Sequence, residues 1–231
     1  MYEMSDFDGS KHIIKEEPIE LKRHFLLANI PLSFYDYTVD DVYDKWSMEV
    51  ANDEAIENYK LYIENLENTR EKGLGLFLTG SHGLAKTTAA VVVLKTAIIN
   101  KFTAYFISMG DLVEFVTSGW KDYNLKIKYQ YIISNVDFLV VDDVGRNYYL
   151  QKSQSTQYLD KLFVTRCNQK KSTILTCNHA MEANEIFSDA LLTLLKANLV
   201  EINLFGDDIR EEKSKSLVDQ LKPKTGKKGH Q

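Results

Sequence analysis

The chain is poor in the features that mark an exported, metal-holding or membrane-spanning protein. It has two cysteines, Cys167 and Cys177, in 231 residues. Neither has a Cys or His at metal-ligand spacing apart from His179, and a metal site needs more ligands than that. The reading is of reduced, semi-buried thiols in a cytosolic protein. The first nine residues read as acidic and polar, so no signal peptide is expected there. No apolar run reaches the roughly 20 residues that span a bilayer. The longest candidate, residues 89–99, is too short. There are no internal repeats and no excess of positive charge. The net charge of −5 argues against a surface coated in basic groups, but leaves room for a local basic groove. These features point to a cytoplasmic location.

What is present begins with an apolar content of 44%, enough for a sizeable core. The length suits one domain of larger than average size, or one domain with an arm. The chain is organised around Gly80-Ser81-His82-Gly83-Leu84-Ala85-Lys86-Thr87. The apolar run 75–79 before it reads as a strand, and 89–99 after it as a buried helix. Strand, tight loop, Lys-Thr and helix is the layout of a phosphate-binding P-loop. The nucleotide-binding candidates are therefore Gly80, Ser81, His82, Gly83, Leu84, Ala85, Lys86, Thr87 and Thr88. Backbone N–H groups of the loop and the helix N-terminus point at the phosphates. Lys86 serves the β- and γ-phosphates, and the Thr87 hydroxyl ligates Mg²⁺ beside ATP. Ala85 stands where such loops usually have Gly. A positive φ there would cost about 1 kcal/mol.

The rest of the chain alternates between two kinds of pattern. Residues 1–20 form a flexible arm or short helix. Pro31 keeps Ile30 out of helix, so a helix end gives way to an extended segment. Residues 53–72 have helical spacing and stop at Gly73. Strands are expected at 102–108, 136–141, 172–177 and 199–204, with helices from 111 (capped by Ser108), at 153–169 and at 188–197. Strands alternating with helices give an α/β fold, a five-stranded parallel sheet flanked by helices. The expected divisions are an N-terminal arm and linker helix, 1–72, an ATPase domain, 73–212, and a basic tail, 213–231. Ligands bind at the carboxyl ends of such strands.

One strand there ends in Val140-Val141-Asp142-Asp143-Val144-Gly145, which looks like a Walker B element. Asp142 is the metal candidate with Thr87, and Asp143 the residue that polarises the attacking water. The next strand ends in Thr176-Cys177-Asn178. The Asn178 amide can hold the water or the γ-phosphate, or it can be an ordinary turn residue.

Taken together, these motifs resemble the AAA+ ATPases of the DnaC/DnaI/IstB group, bacterial and phage helicase loaders and transposition helpers. The resemblance runs from about His24 to Arg210. It is carried by Ala28-Asn29-Ile30-Pro31 with Phe34 and Thr38, the P-loop, the Asp-Asp element, Thr176-Cys177-Asn178 and Gly206-Asp207-Asp208-Ile209-Arg210. It implies that Asn178 acts as sensor 1 and Arg210 as sensor 2. The catalytic candidates are then Asp143, Lys86, Asn178 and Arg210. It also implies self-assembly into a ring or helical oligomer, single-stranded DNA, and a replicative DNA helicase as partner.

Two departures qualify that implication. The position of the arginine finger carries Leu194, so hydrolysis is expected to be slow unless Arg146, Arg166 or a partner supplies the charge. Few residues precede the Ile30-Pro31 segment, where loaders usually carry a helicase-binding domain. For DNA the candidates are Lys121, Tyr123, Lys126 and Lys128, where lysines interleave with aromatics, and Arg146. The same stretch also reads as an amphipathic helix with Tyr and Ile facing the core. The expected function is an ATP-binding helicase loader. The alternatives are an IstB-like transposition helper acting on duplex DNA and a weakly hydrolysing adaptor that binds a helicase.

Overall fold

Burial that switches sides at every residue decides the architecture. The computed structural model describes residues 2–5, 11–14, 18–46, 51–118, 123–145, 152–179 and 187–206. In strand β5 (Phe138–Val144), Phe138 and Val140 enter one apolar cluster and Leu139 and Val141 the other. A strand buried on both faces reads as a continuous apolar run, and only its alternation reveals the two sides.

Five strands make one parallel sheet. They are β3 (Gly75–Thr79), β4 (Ala104–Ser108), β5, β6 (Ser172–Cys177) and β7 (Leu199–Asn203), in the order β4-β5-β6-β3-β7. The expected α/β sheet is therefore present, with β3 and β6 neighbours although they lie far apart in sequence. This adjacency brings the P-loop, the Asp-Asp element and Thr176-Cys177-Asn178 to one rim.

Helices cover both faces. On one side lie α1 (Pro18–Leu27), α2 (Val39–Trp46), α3 (Asp53–Glu64), α4 (Leu66–Lys72) and α5 (Lys86–Ile99). On the other lie α6 (Met109–Ser118), α7 (Tyr123–Asn135), α8 (Lys152–Asn168) and α9 (Asp189–Asn198). α5 is buried nearly all round, since it sits between the sheet and the α1–α3 layer.

The local chemistry accounts for the ends. Ser108 Oγ accepts from Asp111 N at 3.0 Å and Ser188 Oγ from Leu191 N at 3.2 Å, so both serines cap as N-terminal hydroxyls do. Gly73 closes α4 at φ 70°. A Cβ there would meet the Lys170 backbone at 2.5 Å, so both conformation and space require glycine.

The region before the P-loop differs from the sequence reading. Strands β1 (Tyr2–Ser5) and β2 (Lys11–Ile14) pair as an antiparallel hairpin, where a flexible arm or short helix was expected. Asp8-Gly9 between them is a hairpin signal. Pro31, at φ −63° and ψ 139°, does end the α1 segment. A 3₁₀ turn (Leu32–Phe34) and then α2 succeed it, rather than extended chain. The Thr38 hydroxyl, which accepts from Asp41 N at 3.3 Å and donates to Asp41 Oδ2 at 2.7 Å, starts that helix. The single helix read at 53–72 is broken at Asn65, whose side chain donates to Leu61 O and closes α3.

At the rim opposite the P-loop, Asp137 ties the strand entrances together. Its Oδ2 accepts from Thr103 N at 3.1 Å and Oγ1 at 2.7 Å, and its Oδ1 from Lys171 Nζ at 2.9 Å and Arg70 Nε at 3.3 Å. Burial raises its carboxyl, but the Thr103 and Lys171 bonds outweigh this and bring it down to about 2. A carboxylate depressed from 3.8 to about 2 holds about 2 kcal/mol of stability above pH 4, lost as pH falls through 2. Asp137→Asn is expected to lower unfolding free energy by up to ~2 kcal/mol at pH 7. In urea melts the gap to wild type should shrink between pH 4 and pH 2, and a pH-independent gap would contradict the assignment.

Candidate functional site

A short strand that must turn sharply into a helix produces the loop. β3 ends at Thr79, and α5 begins at Lys86. Gly80 adopts φ 139° at the turn, and a Cβ there would lie 2.3 Å from Leu204 O, so the end of the β7 segment packs directly on the loop. Leu204 N donates to Thr79 O at 2.8 Å, and Ser81 Oγ to Gly206 O at 3.1 Å. Ala85 has φ 59° and ψ 21°, the left-handed conformation whose strain the sequence made conditional.

The loop wraps a cavity of about 390 Å³. Its lining includes His82, Gly83, Leu84, Ala85, Lys86, Thr87 and Thr88 from the loop and helix, Asp142 and Asp143 from β5, and Thr176 and Asn178 from β6 and the residue beyond it. Lys86 Nζ donates to Gly80 O at 2.7 Å and Ser81 O at 2.6 Å, which holds the ammonium at the loop.

Both carboxylates reach the cavity because β5 is irregular. Its register against β6 shifts between Val141 and Val144, and Asp143 has φ 60°. Regular alternation would send adjacent side chains to opposite faces, whereas a bulge re-aims them.

Three hydrogen bonds then knit the rim. Thr87 Oγ1 donates to Asp142 Oδ1 at 2.8 Å, and Thr176 Oγ1 donates to the same oxygen at 2.6 Å. Asp143 N donates to Thr176 Oγ1 at 2.8 Å. Beside them Asn178 Nδ2 donates to Asp143 Oδ1 at 3.1 Å. Burial pushes the Asp142 carboxyl up, aided by the charge of Asp143 and opposed by the bonds from Thr176 and Thr87 and by Lys86.

A half-buried carboxylate facing a threonine hydroxyl across a loop that presents N–H groups fits a divalent cation with a polyphosphate. The cation would supply the opposite charge that Asp142 lacks among its hydroxyl partners. Among the described residues no group of three or more His, Cys, Asp or Glu could hold a metal by itself. Mg²⁺ needs no such cage, since phosphate and water complete its shell.

The structure thus brings together Lys86, Thr87, Thr88, Asp142, Asp143 and Asn178. Arg210, Lys121 and Arg146 lie outside the described residues. Tyr123, Lys126 and Lys128 are on α7, away from the loop in sequence and in element. On that helix Ile133 is buried, but Ile127 and Tyr131, one turn apart, are exposed, Tyr131 by 69%. The reading of α7 with its Tyr and Ile facing the core therefore fails for these two.

Arg166 requires a correction. As a source of finger charge it is excluded, because it is fully buried on α8 and bonded to the start of β6, the opposite end of the sheet from the P-loop. It donates to Thr173 Oγ1 at 2.9 Å, Ile133 O at 2.6 Å, Val136 O at 3.1 Å and Ser172 O at 2.6 Å, and desolvation lowers it to about 9. Leu194 packs partly buried against the core.

Several participants had no role in the sequence reading. Thr176 was visible only as the residue two before Asn178; its role depends on the β5–β6 register. Trp46 is buried and donates Nε1 to Leu84 O at 3.2 Å, and Tyr59 donates to Ala89 O at 2.9 Å, so the α2–α3 layer grips the loop from behind. Phe34, Tyr37 and Lys45 also line the cavity. Phe34 belongs with the Ala28–Pro31 motif that carried the resemblance, but no local pattern signals that residues so far upstream face the P-loop.

The family model described as "IstB-like ATP binding protein" matches residues 54–205. A search of curated proteins gives no match. Among solved structures, the DnaC helicase loader aligns at TM-score 0.61 and 20% identity, over 75% of this chain and 99% of that one. DnaI aligns at 0.60 and 17%, over 75% and 94%. The replication initiator DnaA bound to AMPPCP and single-stranded DNA aligns at 0.58 and 21%, over 74% and 53%. This chain thus spans about half the length of that initiator. At these identities the structures support the fold alone, a P-loop domain on a five-stranded parallel sheet flanked by helices.

Thr176→Val tests the knit rim. It removes the second donor to Asp142 and the acceptor for Asp143 N, and neighbours of this kind are worth about 10–100-fold in metal affinity. The magnesium dependence of ATP binding, measured by calorimetry, is expected to weaken by that factor with the fold retained. An unchanged dependence would contradict the role given to Thr176.

Proposed function

The chain belongs to the IstB-like ATP binding protein family, and from that premise we propose that it is a magnesium-dependent ATPase that helps place a replicative DNA helicase on single-stranded DNA. The observation that carries this reading is the convergence of Lys86, Thr87, Asp142, Asp143 and Asn178 in one cavity, with Thr87 bonded to Asp142 at 2.8 Å. Thr87 and Asp142 would hold Mg²⁺, which when bound neutralises phosphate charge. Lys86 and the loop N–H groups would grip the phosphates. Asp143, steadied by the Asn178 amide, would orient and polarise the attacking water.

In this reading ATP is a switch. Bound γ-phosphate engages Lys86, Asn178 and Arg210 in one state, and hydrolysis releases it. Self-assembly into a ring or helix and contact with the helicase belong to the same proposal, as does a cytoplasmic setting. Among the described residues no helix is long and apolar enough to cross a membrane. For single-stranded DNA, α7 offers an exposed aromatic in Tyr131 on the helix that carries Lys126 and Lys128. Lys121 and Arg146 are the flanking candidates. The partly buried Leu194 supports slow turnover by the isolated protein, since no cation stands at that position.

A second reading is favoured by the family match itself, whose description points to IstB rather than to a loader. That reading is a transposition helper acting on duplex DNA. A third, an adaptor that binds ATP and helicase with little hydrolysis, follows from Leu194.

One experiment separates them. ATP turnover is measured with no DNA, single-stranded DNA and duplex DNA, for wild type and Lys86→Ala, alongside capture of a purified replicative helicase in ATP. The proposal expects stimulation by single strands over duplex, helicase capture, and a loss of about a hundredfold or more in turnover with Lys86→Ala. Preference for duplex without capture supports the helper. Capture without turnover supports the adaptor. A rate indifferent to DNA and to Lys86→Ala, with no capture, would overturn all three.

A further inference from the structure

A lysine inside an apolar helix is the least expected residue in the core. α5 is buried nearly all round, and Lys95 on it is 4% exposed. Long charged side chains are almost never buried without partners. Among the described residues, Lys95 makes no ion pair within bonding distance. Instead its Nζ donates to three backbone carbonyls, those of Phe34 at 3.4 Å, Tyr35 at 2.6 Å and Tyr37. The Phe25 ring on α1 lies 5.3 Å from the ammonium. Three N–H donors are matched to three acceptors from one short turn.

That turn is not remote from the site. Phe34 and Tyr37 line the same cavity as Lys86 and Thr87, and their rings lie 6.1 Å apart at 44°. Lys45, also lining the cavity, sits 4.1 Å over the Tyr37 ring. The phosphate end of the cavity is made by the loop and β5. The aromatic end is made by one 3₁₀ unit and the residues after it: Tyr35 anchors it edge-on to Phe25 at 5.5 Å, Leu32 is exposed by 74%, and the carbonyls of Phe34, Tyr35 and Tyr37 all turn to Lys95. Planar rings beside a cation suit the flat face of a nucleobase.

We propose that Lys95 is a positioning residue for the base of the bound nucleotide: it reaches out of the α5 core to lock the Phe34–Tyr37 turn as the aromatic wall of the cavity, without touching the nucleotide itself. This rests on the nucleotide-binding reading above and adds to it. It assigns base recognition to a segment upstream of the family match and makes the phosphate and base ends separable.

The chemistry gives a second handle. A neutral amine has two N–H donors, so a deprotonated Lys95 cannot serve all three carbonyls. Burial pulls its ammonium down to about 8, against the opposing charges of Asp36 and Asp41. Beside it also lie the uncharged Phe25 ring and Tyr35, whose phenol burial raises. The aromatic wall should therefore loosen above pH 8.

The test compares two ligands that share the phosphate end. Binding of ADP and of inorganic tripolyphosphate, each with Mg²⁺, is measured by calorimetry at pH 7 for wild type and Lys95→Met, with thermal melts as the check on folding. The expected result is an ADP affinity about tenfold weaker in the variant, with tripolyphosphate affinity within about twofold of wild type. If Lys95→Met does not fold, ADP affinity of wild type across pH 7 to 9.5 decides, and it should fall through pH 8 to 9. Equal loss of both ligands in a folded variant, or no loss of either, would overturn the proposal. So would a flat pH series where the variant does not fold. Failure of wild type to bind either ligand would instead sink the nucleotide-binding reading.

Discussion

Everything at the carboxyl rim depends on the bond between Thr87 and Asp142. It joins the first turn of α5 to the end of β5, two elements with no sequence relation, and it is made inside the cavity rather than beside it. Thr176 extends the bond to β6, so side chains from three elements meet at one oxygen. The order β5-β6-β3 is what allows it. An acid held this way has its charge disfavoured by burial and its geometry fixed by hydroxyls. That combination favours a cation brought by a ligand over a lysine or arginine built into the core.

The opposite rim uses the same means for a different end. Arg166 and Asp137 are each held by several bonds to neighbours that start strands or end helices, and neither lines the nucleotide cavity. They set where β5 and β6 begin, and hence where Asp142 and Asn178 end up. A buried charge with all its partners internal is a structural group. The contrast with Asp142, half-buried and lining the cavity, shows why burial alone does not identify a site.

Much of this was legible in the residues. The P-loop spacing, the apolar run into Asp142-Asp143 and the strand into Asn178 each place a group at a strand end, and parallel connectivity puts those ends on one side. From β3 onward the strands, and the helices read between them, were located to within a few residues because apolar segments with marked ends leave little choice: Gly73 closes the helix before β3 by its φ, and Ser188 opens α9 by its hydrogen bond. What escaped has a common cause. The bulge that turns Asp143 inward, the sharing of Asp142 by Thr176, and the seating of Trp46, Phe34 and Tyr37 against the loop are all long-range, fixed by register and packing rather than by local pattern. The segment after Pro31 misled because one proline excludes helix only before itself; Thr38 could restart one a few residues later. Arg166 could not be placed from charge chemistry, since a guanidinium satisfied by carbonyls has the same sequence signature as one on the surface.

The claim at the centre is that the rim shared by β3, β5 and β6 clasps a magnesium-bound triphosphate. A crystal structure with Mg²⁺ and a non-hydrolysable ATP analogue tests it most directly. The account expects the metal on the Thr87 hydroxyl with Asp142 facing it, the γ-phosphate between Lys86 and Asn178, and the base against Phe34 and Tyr37. Nucleotide bound at another surface, or Asp142 turned away from the metal with Thr87 still bonded elsewhere, would contradict it.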